Sequence, residues 1–206
     1  MTGEYYGIAS STQTEIIIER SRFITLISPC LDERSAREIL LDCKKRHYQA
    51  THNCYAYIVE DGLSAKFSDD GEPGGTAGAP IMEALKRSNV KNAIVIVTRY
   101  FGGIKLGAGG LTRAYFRCAQ EGLLSADKKL FVPSIKVNVA LSYEDYQIFL
   151  RMINSDLKIT STKYSDKVDL TVMVKSGAIS RFSDDFRQKF NGRYALNTVG
   201  EEYFAF

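Results

Sequence analysis

The sequence has no apolar stretch approaching the roughly 18–20 residues that a bilayer crossing requires, so its 206 residues are not expected to span a membrane. The opening residues, MTGEYYGIASSTQTEI, hold neither a basic segment nor an apolar one, so no secretory signal is expected there. Cysteine is sparse: Cys30, Cys43, Cys54 and Cys118 form no close doublet, and a chain of this size needs no disulfide scaffold. Free thiols in a reducing, cytoplasmic setting are the expectation. Histidine is scarcer still, with His47 and His52 alone. An excess of one charge is also missing. The 27 basic and 24 acidic residues leave a formal +3, far from the concentrated basic face of a general nucleic-acid binder, although a local patch remains open. There is no internal repeat and no low-complexity tract.

One set of side chains invites a metal reading. Cys43 and His47 lie four apart at a helix end, and His52 and Cys54 follow on one strand face. Four such donors suit zinc, but their spacing matches no zinc signature and the HYQAT connection is short. Packing and hydrogen bonding are the expected roles, and no metal or other cofactor is expected.

What is present divides the chain in two. Residues 1–131 carry 17 basic and 15 acidic side chains and residues 132–206 carry 10 and 9, so charge does not separate them. Glycine does: beyond residue 131 only Gly177, Gly192 and Gly200 occur. Pro133 follows the expected end of a helix. Two domains are therefore expected, 1–131 and 132–206, in an α+β protein.

In the first, EIIIER (15–20) and RFITLIS (22–28) predict a hairpin. Asp32 is placed to cap a helix reaching Arg46, with Ala36, Ile39, Leu40 and Cys43 on one stripe. HNCYAYIV (52–59) predicts a strand, 60–79 a long loop, 80–87 a short helix and AIVIV (93–97) a strand buried on both faces. A second glycine-rich loop then leads to a helix over 111–126. The second domain reads βαββαβ, with strands at 135–141, 158–164, 168–174 and 194–204 and helices at 144–153 and 177–190. That is the ferredoxin-like order. It has no His, Cys or glycine loop, so no chemistry is expected there.

The two loops of the first domain carry the candidate chemistry. The first, Ser68 to Gly78, sets Asp69, Asp70 and Glu72 among four glycines. Such a loop can bind a cation or shape an anion-binding nest, and its Thr76 adds a hydroxyl. As a bare solvated turn it would need fewer of both residue types. The second runs from Arg99 through Tyr100, Phe101, Gly102, Gly103, Lys105, Gly107, Gly109 and Gly110 to Arg113. It joins a buried strand to a helix N-terminus, a natural anion site. Arg99, Lys105 and Arg113 supply positive charge, and Tyr100 and Phe101 supply rings that can stack on a base or plug an interface. No nucleotide fingerprint is met: Ala108 and Gly109 follow Gly107 where a P-loop has Lys and Ser or Thr, and Thr112 stands where a dinucleotide fold has its last glycine. No G-x-S-x-G elbow occurs, and Cys54 and Cys118 sit in apolar periodic segments that predict packing. His52, just before the acidic loop, is a candidate base.

His52 to Tyr57 (HNCYAY), Ser68 to Pro73 (SDDGEP), Gly75 to Gly78 with Pro80, and Arg99 to Gly107 (RYFGGIKLG) with Gly109-Gly110-Leu111 and Arg113-Ala114-Tyr115 together resemble the IMPACT family. Among its members they are most similar to the bacterial two-domain YigZ/YvyE type. The resemblance covers most of residues 1–125. It implies a first domain with the fold of the second domain of ribosomal protein S-five, of left-handed βαβ type, and a ferredoxin-like second domain similar to the last domain of the translocation factor EF-G. In eukaryotic members it implies regulation of translation by competition for an activator of a starvation-responsive kinase that bacteria lack.

The expected function is therefore a cytoplasmic, non-enzymatic binding protein close to translation, with RNA, the ribosome or a protein as partner. Arg99, Lys105 and Arg113 are expected to contact phosphate or acidic groups. Asp69, Asp70 and Glu72 are expected to bind a cation or to pair with those bases. The alternative is an enzyme acting on a phosphorylated or anionic small molecule at the same loops.

Overall fold

The computed structural model describes residues 3–206, and its two compact units have main bodies Tyr5–Lys129 and Leu130–Phe206. The first runs β1 (Tyr5–Ile8), β2 (Thr12–Ile18), β3 (Ser21–Pro29), α1 (Glu33–Arg46), β4 (His52–Val59), β5 (Ser64–Ser68), α2 (Gly78–Arg87), β6 (Ala93–Tyr100) and α3 (Gly107–Ser125). Strands β2 to β6 form one sheet in the order β2-β3-β6-β4-β5, every neighbouring pair antiparallel. Because β6 pairs antiparallel with both β3 and β4, those two run parallel on either side of it, joined through α1. This is the βαβ unit of the expected fold, split by an inserted strand.

The hairpin between β2 and β3 closes on Glu19 and Arg20 alone, at φ +46° and +63°. Positive φ at both positions is what a two-residue loop needs to follow the strand twist. Helix α1 starts where Asp32 accepts the Ser35 amide at 2.7 Å in a capping box. Strand β6 shows why AIVIV is unbroken. Ala93, Val95 and Val97 pack with α2 and α3, while Ile94 and Ile96 pack on the opposite face with Ala36 and Cys43 of α1. The sheet is thus covered by helices on both sides.

The segment 60–79 is not one loop. Ser64–Ser68 is an edge strand on β4, in register Tyr55↔Ser68 to Val59↔Ser64. Its five residues SAKFS bury little, and Phe67 is half exposed, so neither apolar alternation nor burial marks it. Helix α3 begins at Gly107 rather than Leu111, since the glycines that discourage a helix interior are tolerated in its first turn.

The second unit runs β7 (Lys128–Leu141, beginning just before the unit), α4 (Tyr143–Leu150), β8 (Leu157–Tyr164), β9 (Val168–Lys175), α5 (Ile179–Lys189) and β10 (Asn197–Ala205). Its strands lie in the order β10-β7-β9-β8, all antiparallel, which is the expected βαββαβ topology. Val137, Val139 and Leu141 of β7 and Leu170, Val172 and Val174 of β9 alternate onto one face. Phe182, Phe186 and Phe190, spaced four apart at α5, and Phe149 of α4 cover that face. The α+β architecture of the sequence reading is therefore the architecture observed.

Candidate functional site

Strand parity decides what the end of β6 presents. Arg99 continues the face of Val95 and Val97, whereas Tyr100 continues that of Ile94 and Ile96. The Arg99 guanidinium donates to Glu72 Oε1 at 2.7 Å and to Ser21 Oγ at 3.2 Å. It also lies over the rings of Phe23 and Phe101 at 5.5 and 5.4 Å. Tyr115 of α3 donates to the same Glu72 oxygen at 2.7 Å. The side chains of Arg99 and Glu72 are only 5% and 4% exposed. This corrects the expectation for Arg99: its charge is buried and neutralised by Glu72, so it is not a surface contact for phosphate. Burying such a pair is costly, and the Tyr115 and Ser21 hydroxyls offset part of that cost, while Arg99 Nε is buried without a hydrogen-bond partner.

Tyr100 is turned away, with its hydroxyl 2.9 Å from His47 Nδ1 and its ring under Arg22. The zinc reading is split by the same parity. Cys43, 3.7 Å from the Thr98 hydroxyl, and His47 lie on the α1 side, whereas Cys54 belongs to the α2–α3 side, as does His52 by its place on β4. Among the described residues no His, Cys, Asp and Glu side chains cluster as metal ligands.

The acidic loop is held from within. Asp69 accepts the amides of Gly75, Ala77 and Gly78 at 2.9, 3.0 and 2.8 Å, and so caps α2, whose own N-cap residue Ala77 offers no side-chain acceptor. Partial burial pushes the Asp69 pKa up, but these amides outweigh it and the net shift is downward. Asp70 accepts from Lys44 Nζ and from the Asn53 amide, both at 2.7 Å. Thr76 turns back to donate to the Pro73 carbonyl at 2.7 Å. Cys54 donates to the Asp69 carbonyl at 2.9 Å, and burial pushes its thiol up to about 12, as it does for Cys118. Neither thiol is an available nucleophile at neutral pH. The pairing alternative therefore describes Asp70 and Glu72, though Asp70 pairs with Lys44 rather than with the glycine-loop cations.

The two loops do meet. His52, Glu72, Phe101, Lys105, Leu106 and Gly107 are among the residues around a cavity of about 440 Å³. Its floor is the first turn of α3, where Leu106 supplies no side-chain cap and the leading amides are free to face a ligand. Gly102 is obligatory behind it: a Cβ there would lie 1.9 Å from the Arg20 carbonyl oxygen. Gly107 enters the helix at φ +69°. Gly103 lies in the open loop, and Gly110 packs beneath Leu106. Arg113, one turn further and beside Gly109, leaves this cavity and lines an adjacent groove of about 640 Å³ with Lys105 and Arg117. Arg117 is paired with Glu121, whereas Lys105 and Arg113 form no ion pair among the described residues. The largest cavity, about 760 Å³, lies at α4 and α5 of the second unit, lined by Phe182, Arg181 and Asp185 among others.

Four participants escape sequence reading as site residues: Ser21, Lys44, Tyr115 and Thr51, whose hydroxyl accepts the Phe101 amide at 3.1 Å. Tyr115 had a signal in its place in the last of the family motifs, Arg113-Ala114-Tyr115. The other three join through pairings between strands and helices that spacing does not reveal.

A split βαβ unit with a pocket at its glycine loops, followed in the chain by a ferredoxin-like unit, defines a two-domain α+β protein. The Impact N-terminal domain model matches residues 19–123 and a domain of unknown function (DUF1949) matches residues 140–193, and the chain belongs to the IMPACT family. It is 38% identical over 202 residues to the IMPACT family member YvyE of Bacillus subtilis, covering 94% of this chain and 90% of the relative. It is 30% identical to the IMPACT family member YigZ of Escherichia coli, covering 89% and 92%. Human Protein IMPACT is 32% identical over 116 residues, 48% of this chain but 36% of that protein. A solved structure described as that of a hypothetical protein superposes with a TM-score of 0.65 at 28% identity, covering 98% of this chain and all of the other. No described helix is long and apolar enough to cross a membrane.

Proposed function

We propose that this protein is a cytoplasmic, non-enzymatic binding protein that acts close to translation by holding RNA, free or on the ribosome, at the second glycine loop. The observation that carries the reading is the pair Lys105 and Arg113, two cations without ionic partners that share one groove at the rim of the α3 pocket. Two phosphates neutralised there give a log–log salt slope of about −1.4 on single-stranded RNA. Affinity then falls about sevenfold between 50 and 200 mM salt. Arg99 has no part in this contact, because Glu72 holds it.

The test is co-sedimentation with ribosomes at these two salt concentrations, for the native chain and for a Lys105→Ala, Arg113→Ala double variant. Salt-sensitive association that is lost in the folded variant supports the reading. Association that persists in the variant, or none in the native chain, overturns it. The enzyme reading has one supporting observation, His52 and Glu72 facing one another across the pocket, and turnover of a phosphorylated small molecule is its direct test.

A further inference from the structure

His52 Nδ1 lies 2.9 Å from the Asp70 carbonyl oxygen. A carbonyl only accepts, so Nδ1 carries the hydrogen and the neutral ring presents a lone pair at Nε2. That nitrogen is 3.8 Å from Glu72 Oε2. Glu72 has spent its other oxygen on Arg99 and Tyr115, and among the described residues no hydrogen bond reaches Oε2. With the ring neutral, two acceptors face one another across a gap too long for a direct hydrogen bond and suited to a donor placed between them. Glu72 is nine-tenths buried and lines the same cavity as His52, so the acceptor pair belongs to the pocket and not to open solvent.

Three further features surround this pair. The uncapped first turn of α3 and the Lys105 ammonium make one side of the cavity an anion site. The Phe101 ring, 46% exposed, offers a free face. The volume of about 440 Å³ lies in the range of pockets that hold small organic ligands. The occupant must therefore combine an anionic group, a neutral hydrogen-bond donor and a flat ring. Bare phosphate lacks the ring, and deoxyribose lacks the ribose 2′-hydroxyl.

We propose that the cavity binds one ribonucleotide. Its phosphate sits on the α3 N-terminus and Lys105, its ribose hydroxyl donates between His52 Nε2 and Glu72 Oε2, and its base stacks on Phe101. The inference rests on the RNA reading above and names the nucleotide subsite within it. Free nucleotide and a nucleotide within RNA share this chemistry, and the experiment separates them.

Affinity is measured by calorimetry for AMP, its 2′,3′-dideoxy analogue, inorganic phosphate, a hexameric RNA and the matching DNA. Removing the hydroxyls is expected to weaken nucleotide binding about tenfold or more, because a donor to a charged acceptor is lost and Glu72 stays desolvated. Phe101→Ala is expected to weaken AMP about fivefold or more, with recovery in Phe101→Tyr. Phe101 is exposed, and an unchanged circular dichroism spectrum confirms that the variants fold. AMP bound with hydroxyl dependence but no RNA bound supports the pocket and removes the RNA reading. RNA and DNA bound alike, unaffected by Phe101→Ala but lost with Lys105→Ala and Arg113→Ala, overturns the pocket and leaves the groove. Phosphate bound as tightly as AMP also overturns it, since a bare anion site would then suffice.

Discussion

The two units differ in how completely they bury their polar groups. In the first, a carboxylate, a guanidinium, a phenol and a hydroxyl meet at Glu72, Arg99, Tyr115 and Ser21, between the ends of β6 and α3. In the second, the core is aromatic and aliphatic. Its one buried acid, Asp145, stands at a helix start, where Tyr194 and Arg193 reach it from beyond α5. Hydrophobic packing suffices to hold a helix on a sheet. A buried ionic network brings no such gain, because well-packed apolar side chains of the same volume are often as stable or more so. The first unit carries such a pair with both partners buried, Arg99 and Glu72, whereas in the second the guanidinium partner of Asp145, Arg193, is 56% exposed.

The sharpest way to break this comparison is to remove one partner in each unit. Glu72→Ala leaves Arg99 charged, buried and unpaired, with an expected loss of about 3–5 kcal/mol. Glu72→Leu combined with Arg99→Met removes both charges and is expected to lose much less. Phe186→Ala is expected to cost about 3–5 kcal/mol through its cavity, confined to the second unit, where Phe149, Phe182 and Phe190 surround it. Hydrogen exchange followed by mass spectrometry reads each unit by its own peptides. Equal losses for the single and double charge variants would mean that the network is only packing, and the contrast would fall.

Acid sharpens the comparison at a smaller scale. The Asp69 carboxyl lies below its ordinary value of 3.8, pulled past the effect of burial by the Gly75, Gly78 and Ala77 amides. Its folded pKa is depressed, so its stabilisation is complete above the unfolded value and is lost as pH falls through the folded one. Asp145 is lowered too, first by the Tyr194 hydrogen bond and then by Arg193. Both units are therefore expected to weaken in acid. Asp69→Asn is expected to cost about 1 kcal/mol as a weakened helix cap and to flatten the acid response of the 69–78 peptides alone. An unchanged acid response there would mean that the amides do not hold this carboxylate.

How much of this was legible follows from the same parity and burial. β4 and α1 were readable nearly to the residue: His52–Val59 is a run of strand formers, and Asp32 with its apolar stripe signals a cap and a buried face. β5 was not, because an exposed edge strand need carry no apolar pattern. At the site, both loops were visible as glycine, acid and base. Their meeting was not, since Glu72 and Arg99 are 27 residues apart in sequence and only tertiary structure joins them. Counting back along β6 puts Arg99 with Val97 and Val95, and therefore inside, so a strand of period two already argued against a surface role for it.

The smallest expected effect on stability is the most informative about function. Lys105 and Arg113 are exposed and without ionic partners, so replacing both with alanine is expected to change the stability of the first unit by no more than about 0.5 kcal/mol. On the proposed RNA reading the same pair supplies the salt-dependent part of binding, so its loss is expected to bring the salt slope from about −1.4 to near zero. Arg181 and Lys189 line the large cavity of the second unit and give a matched control: their replacement removes as much positive charge and is expected to leave the slope unchanged. A slope that drops equally in both variants would mean that overall charge, and not the α3 loop, attracts the ligand. A destabilisation above 1 kcal/mol in Lys105→Ala, Arg113→Ala would mean that these cations serve the fold, and the difference between the two units would then be one of architecture alone.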